Sequence, residues 1–392
     1  MAKAKREIYL DHIAAAPVRK EAVDTMLSVL KTSAGNPLSV HTRGQKAAEI
    51  LEKARRQVAE LIGCEPFEVV FTATGSEANN LALKGIARAR KNKSSRIVIS
   101  SIEHTSILKA ARALEKEGFE VVALPVDRYG FVDPADLKEA LKDGAAVVSV
   151  IHASTEIGTI EPIEELAAVC REAQVPMHTD AWGSAGVISI DIDTLGVSAM
   201  TIASQNFGGP PGAAALIVRK GTTLRSMIEG GVQERGLRAG QENIPAIAGM
   251  GTAAELAAGD MVSNASKLSA MANELLKRIP EEIEDCIVTG HPEKRLPNHA
   301  SFCVKYIEGE GLLLFLDQYG IMAASGSACT SKSLKASHVL EAIGLDAATA
   351  QGSIVMTMGL ESDAKDVDYI IESMRPIVER LREMSPLYRK KD

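Results

Sequence analysis

The sequence is poor in aromatic residues, which make up 4% of its 392 positions and include a single tryptophan. It also lacks a cationic excess, since 44 basic and 51 acidic side chains give a net charge of −7. Both features argue against a nucleic-acid-binding surface. No apolar run approaches the ~18 residues that span a membrane, and the start MAKAKREIYLD lacks the apolar segment of a secretory signal. We therefore expect a soluble cytoplasmic protein that binds neither nucleic acid nor membrane.

Cysteine is scarce as well, and no CxxC pair occurs. This usage is typical of a reducing compartment, and it excludes both a disulfide framework and the thiol spacing of a structural zinc site. Cys329 lies in a run of small residues, SGSACTSKS (325–333), which favours an exposed loop whose thiolate acts as a nucleophile or metal ligand. The alternative is a buried structural cysteine, which is the expectation for Cys303 in its apolar strand.

Apolar runs alternate with amphipathic stretches over the first 220 residues, as in the βα units of a doubly wound α/β domain. The apolar character of the strands is typical of a parallel sheet that is covered on both faces. We predict strands over 67–74, 96–102, 119–126, 145–154 and 176–181, and helices over 77–91, 105–118, 133–144 (Asp133 as N-cap) and 163–174.

The pattern changes after residue ~250 and predicts a smaller α+β domain. We predict helices over 264–279, 309–320 and 362–384, the last with Ser362 as N-cap, and a strand over 300–307.

Three polar features follow predicted strands in the first domain. FTATGSEANN (71–80) ends a strand and opens a helix, so that Gly75 and Ser76 offer amides to an anion; a plain capped helix is the alternative. Asp180 closes the strand in PMHTDA, and His104 follows RIVISSI. Both are therefore expected at the carboxyl edge of the sheet, where open α/β sheets bind ligands. A salt-bridged loop aspartate is the alternative for Asp180.

A larger set of segments carries a family resemblance. These segments have the order and spacing of cysteine desulfurases of iron–sulfur cluster assembly, class V of the fold type I enzymes that use pyridoxal phosphate, and GHPEKRLPN and SPLYRK are similar to archaeal-type members. The segments are IYLDHIAAAPV, GNPLSVH, TATGSEANN, EHTSIL, TEIGTIEPI, HTDA, GGVQERGLRAGQENIPAIAGMG and SGSACTS.

The resemblance implies the fold and assembly. It implies a fold type I structure with a mainly parallel seven-stranded sheet in a large domain over 17–262. Residues 1–16 and 263–392 would form the small α+β domain, which carries the Cys329 loop. It also implies a homodimer with a site at the subunit boundary.

The resemblance also implies a chemistry. The cofactor would form a Schiff base on a lysine, stack under His104, face Asp180 through its ring nitrogen, and place its phosphate at Gly75 and Ser76. Cys329 would take sulfur from cysteine as a persulfide and pass it to a scaffold protein or another acceptor.

The sequence departs from the family at this site. Asn206 stands at the lysine position, and Gln205 replaces the histidine before it. An amide nitrogen is not a nucleophile, so Asn206 cannot form a Schiff base, and the usual proton shuttle is missing too. Val355 stands where an arginine would pair with the substrate carboxylate. Further departures are Thr155 for asparagine, Gly183 for glutamine, Ala203 for serine, Pro211 for lysine and Gln241 for threonine.

Our first hypothesis is a pseudo-enzyme near iron–sulfur metabolism, without covalently bound pyridoxal phosphate. His104, Gln205 and Asn206 would line a polar cavity, and Cys329 would ligate an iron–sulfur cluster with partner ligands or accept sulfur. One alternative is an enzyme of changed chemistry that binds another ligand at the anion loop. The others are residual desulfurase activity with non-covalent pyridoxal phosphate, and a structural partner of an active paralogue.

Overall fold

The computed structural model describes residues 7–32, 35–326 and 336–388. The first part of the chain alternates strands and helices, and the remainder adds two small sheets and longer helices. In chain order the first elements are β1 (Ile8–Tyr9), α1 (Lys20–Thr32), α2 (Thr42–Ile62), β2 (Val69–Thr72), α3 (Gly75–Arg90), β3 (Arg96–Ser100), α4 (Thr105–Glu115), β4 (Glu120–Leu124), α5 (Pro134–Ala140), β5 (Val147–Ile151), α6 (Ile163–Glu172), β6 (Met177–Asp180), α7 (Ile192–Leu195), β7 (Ala199–Ala203) and β8 (Ala214–Val218). They are followed by α8 (Ile244–Glu282), β9 (Cys286–Val288), β10 (His299–Val304), α9 (Gly309–Gln318), β11 (Ile321–Met322), α10 (His338–Ala342), α11 (Ala347–Gln351), β12 (Ser353–Thr357) and α12 (Asp366–Met384).

The main sheet has seven strands in the order β2-β8-β7-β6-β5-β3-β4. Strands β3 to β7 run parallel, and β8 is antiparallel to both β7 and β2. Every residue of β5, β6 and β7 is buried, as expected for strands covered on both faces. The expected α/β fold with a mainly parallel seven-stranded sheet is confirmed.

The remaining strands form two smaller sheets. β10 pairs with β12 and β9 in an antiparallel sheet, and β1 pairs with β11. Strand β1 therefore lies against a segment from the far end of the chain. None of the helices among the described residues combines the length and apolar character needed to cross a membrane.

Helix α8 corrects the sequence prediction, because it begins at Ile244 rather than at residue 264. Its first half is rich in alanine and glycine and has no clear amphipathic period, so the sequence pattern concealed it. Those small residues allow close packing: a methyl group built on Gly251 would lie 2.7 Å from Ala54 Cα of α2. The predicted boundary between 262 and 263 falls within this helix, and the domain division stays a prediction.

Two predicted helix caps have different outcomes. Asp133 caps α5 by accepting from Ala135 N, with Pro134 as the first helical residue, as predicted. The prediction for Ser362 is wrong, because α12 begins at Asp366. The Ser362 hydroxyl instead accepts from Gly359 N at 3.0 Å, which closes the turn before the helix.

Candidate active site

Asp180 ends β6 and is buried at the carboxyl edge of the sheet, as the sequence predicted. Its Oδ2 accepts from Asn79 Nδ2 at 2.6 Å, and its Oδ1 accepts from the backbone N–H of Trp182 at 3.0 Å. Burial raises the pKa of Asp180, while the nearby His104 ring and the two donors oppose that rise. Asp180 is thus a carboxylate held by fixed neutral donors, rather than the salt-bridged loop residue of the alternative.

His104 follows β3 and caps α4, and a short hydrogen-bond chain links it to Asp180. Its Nδ1 lies 2.7 Å from Ser106 Oγ and accepts from Ser106 N at 3.2 Å. Ser106 Oγ in turn accepts from Asn79 Nδ2 at 2.9 Å. Since the amide nitrogen of Asn79 only donates, the Ser106 proton goes to His104 Nδ1, and the neutral ring carries its proton on Nε2.

The predicted anion loop is a capped helix start. Thr74 Oγ1 accepts from Glu77 N at 3.1 Å, while Glu77 Oε2 accepts from Ala73 N at 2.9 Å. In a standard capping box, the Glu77 side chain would accept from the backbone N–H of the N-cap residue, Thr74. Here it accepts from Ala73, one residue earlier. Arg238 Nε donates to Glu77 Oε1 at 2.8 Å, so this acid beside Gly75 has a partner.

Asn206 lies in a 3₁₀ turn, Ser204–Phe207, that follows β7. It is buried, and its Nδ2 donates to Ala185 O at 3.2 Å. The neighbouring Gln205 reaches Ala14 O at 3.5 Å. Both side chains therefore hold the turn against adjacent backbone.

Some of the predicted site residues line two cavities, and others, namely Gly75, Ser76, Asp180 and Gln205, line neither. The first cavity, here named the His104 cavity, is lined by His104, Thr155, Glu156, Trp182 and Val355, together with apolar side chains and further polar ones that include Asp11, Glu103 and His338. The second, the Asn206 cavity, is lined by residues that include His12, Arg19, Asn206, Asn298 and Glu361. His104 and Asn206 line different cavities and Gln205 lines neither, and the prediction that these three residues share one polar site stays a prediction.

The backbone around Gly183 is closely packed. A methyl group built on Gly183 would lie 2.9 Å from Thr155 Cγ2 and 3.4 Å from Ala153 O. Ile13 Cδ1 would lie 3.8 Å away on another side. The segment after Asp180 therefore has no room for a side chain at position 183.

Two predicted site residues remain, Gln241 and Cys329. Gln241 is exposed just before α8. Cys329 lies outside the described residues. Within the described ranges, no three histidine, cysteine, aspartate or glutamate residues are arranged to hold a metal ion.

Sequence reasoning missed three residues of the His104 cavity and its network: Asn79, Glu156 and Trp182. Asn79 lies four residues after Gly75, so helical spacing could have placed it on the sheet-facing side of α3. Glu156 lies in the loop after β5, five residues beyond Ile151, and the argument from strand ends applies to this loop as well.

Comparison with known proteins adds to this geometry. The family described as Aminotransferase class-V matches residues 8–370. A protein named Cysteine desulfurase IscS from Dictyoglomus turgidum is 43% identical over 382 residues, covering 97% of both chains. Cysteine desulfurase IscS 1 from Archaeoglobus fulgidus is also 43% identical, over 97% of this chain and 100% of that protein.

This chain belongs to the cysteine desulfurase family of class-V aminotransferases. Among solved structures, one titled NIFS-LIKE PROTEIN superposes with a TM-score of 0.89 at 30% identity, over 96% of this chain and 100% of that chain. SspA in complex with cysteine superposes with a TM-score of 0.80 at 31% identity, over 90% and 98% of the two chains. The resemblance in sequence and the fold thus agree over nearly the whole chain.

The cofactor of this family tests the fit of the residues present. Asp180 and His104 lie together, as a pyridine nitrogen and a stacked ring require. Neither the His104 cavity nor the Asn206 cavity is lined by a lysine among the described residues. The described residues therefore supply two polar contacts for pyridoxal phosphate.

Proposed function

We propose that this chain is a degenerate desulfurase-family protein that acts near iron–sulfur cluster or sulfur metabolism and forms no Schiff base with pyridoxal phosphate. The observation that carries the proposal is Asn206, at the position where the resemblance expects the lysine. Its carboxamide is buried and hydrogen-bonded to Ala185 O. An aldehyde requires a primary amine to form a Schiff base, and a carboxamide offers none.

The part of the site around Asp180 keeps a different capacity. Asp180, Asn79, Ser106 and His104 form a continuous polar chain that fixes the proton of His104 on Nε2. That chain can orient a ligand that both donates and accepts hydrogen bonds. The proton transfer that a lysine performs is not available, because Asn206 stands at the lysine position.

Cys329 is the thiol that we propose as sulfur acceptor or cluster ligand. Burial raises the pKa of Cys64, Cys170, Cys286 and Cys303 to about 12 each. These four thiols are therefore not thiolates at neutral pH. A single cysteine does not hold an iron–sulfur cluster, so a scaffold protein or another partner must supply the remaining ligands.

A homodimer is part of the proposal. Large apolar side chains are exposed in the segments before α2 and before α8, with Val40 91% and Val232 71% exposed. Exposed apolar residues that lie in the family's motifs GNPLSVH and GGVQERG are consistent with a partner surface. The partner subunit would cover them, whereas the sulfur acceptor would approach the Cys329 loop.

A second candidate function is residual cysteine desulfurase activity with non-covalent pyridoxal phosphate. The comparisons favour this alternative over the degenerate protein, because relatives over 40% identical are named cysteine desulfurases. The paired Asp180 and His104 favour it as well. Use of the His104 cavity by another ligand is the remaining alternative.

Borohydride trapping separates these functions. The purified full-length protein is incubated with excess pyridoxal phosphate, reduced with borohydride, and its peptides are analysed by mass spectrometry. We expect no adduct on a site lysine, and no sulfide release from cysteine above that of free pyridoxal phosphate. Sulfide release without an adduct would establish the second candidate. A reduced adduct together with sulfide release would contradict the proposal.

A further inference from the structure

Trp182, the chain's single tryptophan, lies inside the vestigial cofactor site. Its backbone N–H donates to Asp180 Oδ1 at 3.0 Å, which fixes the start of the side chain beside the carboxylate. The indole and the His104 ring have centroids 6.1 Å apart and planes tilted by 45°. In addition, Trp182 Cδ1 lies 3.8 Å from a methyl group built on Gly75.

Trp182 thus lies beside all three groups assigned to the cofactor by the resemblance. These are the stacking ring of His104, the carboxylate of Asp180 and the helix start at Gly75. A flat ligand ring between two aromatic side chains needs about 3.5 Å on each face, hence near-parallel rings about 7 Å apart. The ring centroids of His104 and Trp182 are closer together than that, and their 45° tilt leaves no parallel gap for a ligand ring.

We propose that Trp182 occupies the position of the cofactor ring between His104 and the start of α3 and so closes the site to pyridoxal phosphate. The proposal rests on the proposed function for the identity of the displaced ligand. It is independent of the missing amine. Asn206 offers no amine for a covalent bond to the cofactor, whereas Trp182 fills the volume that the cofactor ring would need.

The surroundings of the cavity support the same conclusion. Thr155 fills the space that a side chain at position 183 would need, so no side chain from that position can contact a ligand. The lining of the His104 cavity includes the acids Asp11, Glu103 and Glu156 and, among the described residues, no arginine or lysine that could pair with a phosphate or carboxylate. What remains of the cavity therefore disfavours an anionic ligand beside the indole.

Four forms of the full-length protein test the proposal: wild type, Asn206→Lys, Trp182→Ala and the double variant. Each is incubated with excess pyridoxal phosphate and reduced with borohydride, and the adduct at position 206 is quantified by peptide mass spectrometry. We expect Asn206→Lys alone to stay nearly unmodified. The double variant should be modified at least about tenfold more, because it has both an amine and a space.

Asn206→Lys with Trp182→Phe is the matched control, since phenylalanine keeps a ring in the site and should block modification. Equal modification of Asn206→Lys with and without Trp182 would overturn the proposal, as would a folded double variant that stays unmodified. The wild type adds a test that needs no variant. Because Trp182 is the only tryptophan, saturable quenching of its fluorescence by pyridoxal phosphate would also overturn it.

The outcomes distinguish this inference from the proposed function. An adduct on a site lysine of the wild type, with sulfide release, would contradict the proposed function. It would leave the comparison between Asn206→Lys and the double variant to decide the role of Trp182. Both variants are checked by circular dichroism and size-exclusion elution before modification.

Discussion

Two buried acids, Glu234 and Glu156, have opposite surroundings. Glu234 accepts two hydrogen bonds from the Arg55 guanidinium, at 2.8 and 2.9 Å, and a third from Phe71 N at 2.9 Å. Glu156 accepts from the Ser337 hydroxyl, and no arginine or lysine among the described residues lines its cavity. Burial raises the pKa of Glu156 to about 7.

This difference separates the buried acids that stabilise the fold from those that belong to the site. A buried carboxylate with a fixed cation is a structural group, and here it ties the loop before α8 to α2 and β2. A buried carboxyl group without a cation titrates near neutral pH and gives the His104 cavity its character. Glu103, beside the same cavity, follows this second pattern, because burial raises its pKa to about 8.

The largest expected effect comes from breaking the paired acid. Glu234→Gln removes the buried carboxylate that pairs with Arg55 and leaves its guanidinium only the half-exposed carboxylate of Glu52, so we expect a loss of about 3–5 kcal/mol in the free energy of unfolding. Glu234 and Arg235 also have left-handed backbone angles, φ 47° and 59°, which the ion pair holds in place. Urea unfolding measures the change.

The control for this variant is Glu120→Gln, which breaks the exposed contact with Arg96. Exposed ion pairs contribute about 0–1 kcal/mol, so this control should lose no more than that. Similar losses in both variants would contradict the distinction between the two environments.

The unpaired acid should respond to pH instead. The folded-state pKa of Glu156 is about 7, and its unfolded value is about 4.3. The folded chain therefore holds the proton more tightly, and this group lowers stability progressively as pH rises from about 4.3 to about 7. Glu156→Gln cannot titrate, so it should be about 3–4 kcal/mol more stable than wild type above pH ~7 and similar to wild type below pH ~4.3.

Unfolding is measured across that pH range, with Glu49→Gln on the exposed side of α2 as the matched control. The control should stay within about 0.5 kcal/mol of wild type at each pH. A stability gain of Glu156→Gln that is constant with pH would mean that its carboxyl group is not buried as described.

Much of this site could be predicted from sequence, because it depends on strand ends. Parallel strands bring their carboxyl ends to one edge, so the apolar runs RIVISSI and PMHTDA are enough to place His104 and Asp180 at that edge. The strands themselves are recognisable as short apolar runs, although the observed strands are shorter at one or both ends.

The rest depends on contacts between side chains from separate loops. Thr155 packs against Gly183, and no local sequence pattern reports this contact between the loops that follow β5 and β6. The direction of the Trp182 side chain is likewise a matter of packing. The start of α8 escaped prediction because alanine and glycine carry almost no amphipathic signal.

The smallest effect is expected at Asp180, whose surroundings lie between those of Glu234 and Glu156. Among the described residues, no arginine or lysine donates a hydrogen bond to Asp180, but the side chain of Asn79 and the backbone N–H of Trp182 do. Asn79→Ala removes the donor at 2.6 Å and also the link to Ser106, so we expect a loss of about 1–2 kcal/mol. Because Asn79 stabilises the ionised form, the loss should be larger at alkaline than at acidic pH.

Asn80→Ala is the matched control, since Asn80 bonds only Ser76 O within α3 among the described contacts and should lose no more than about 0.5 kcal/mol. Equal losses in urea unfolding for the two asparagine variants would mean that the chain from Asp180 to His104 does not stabilise the site.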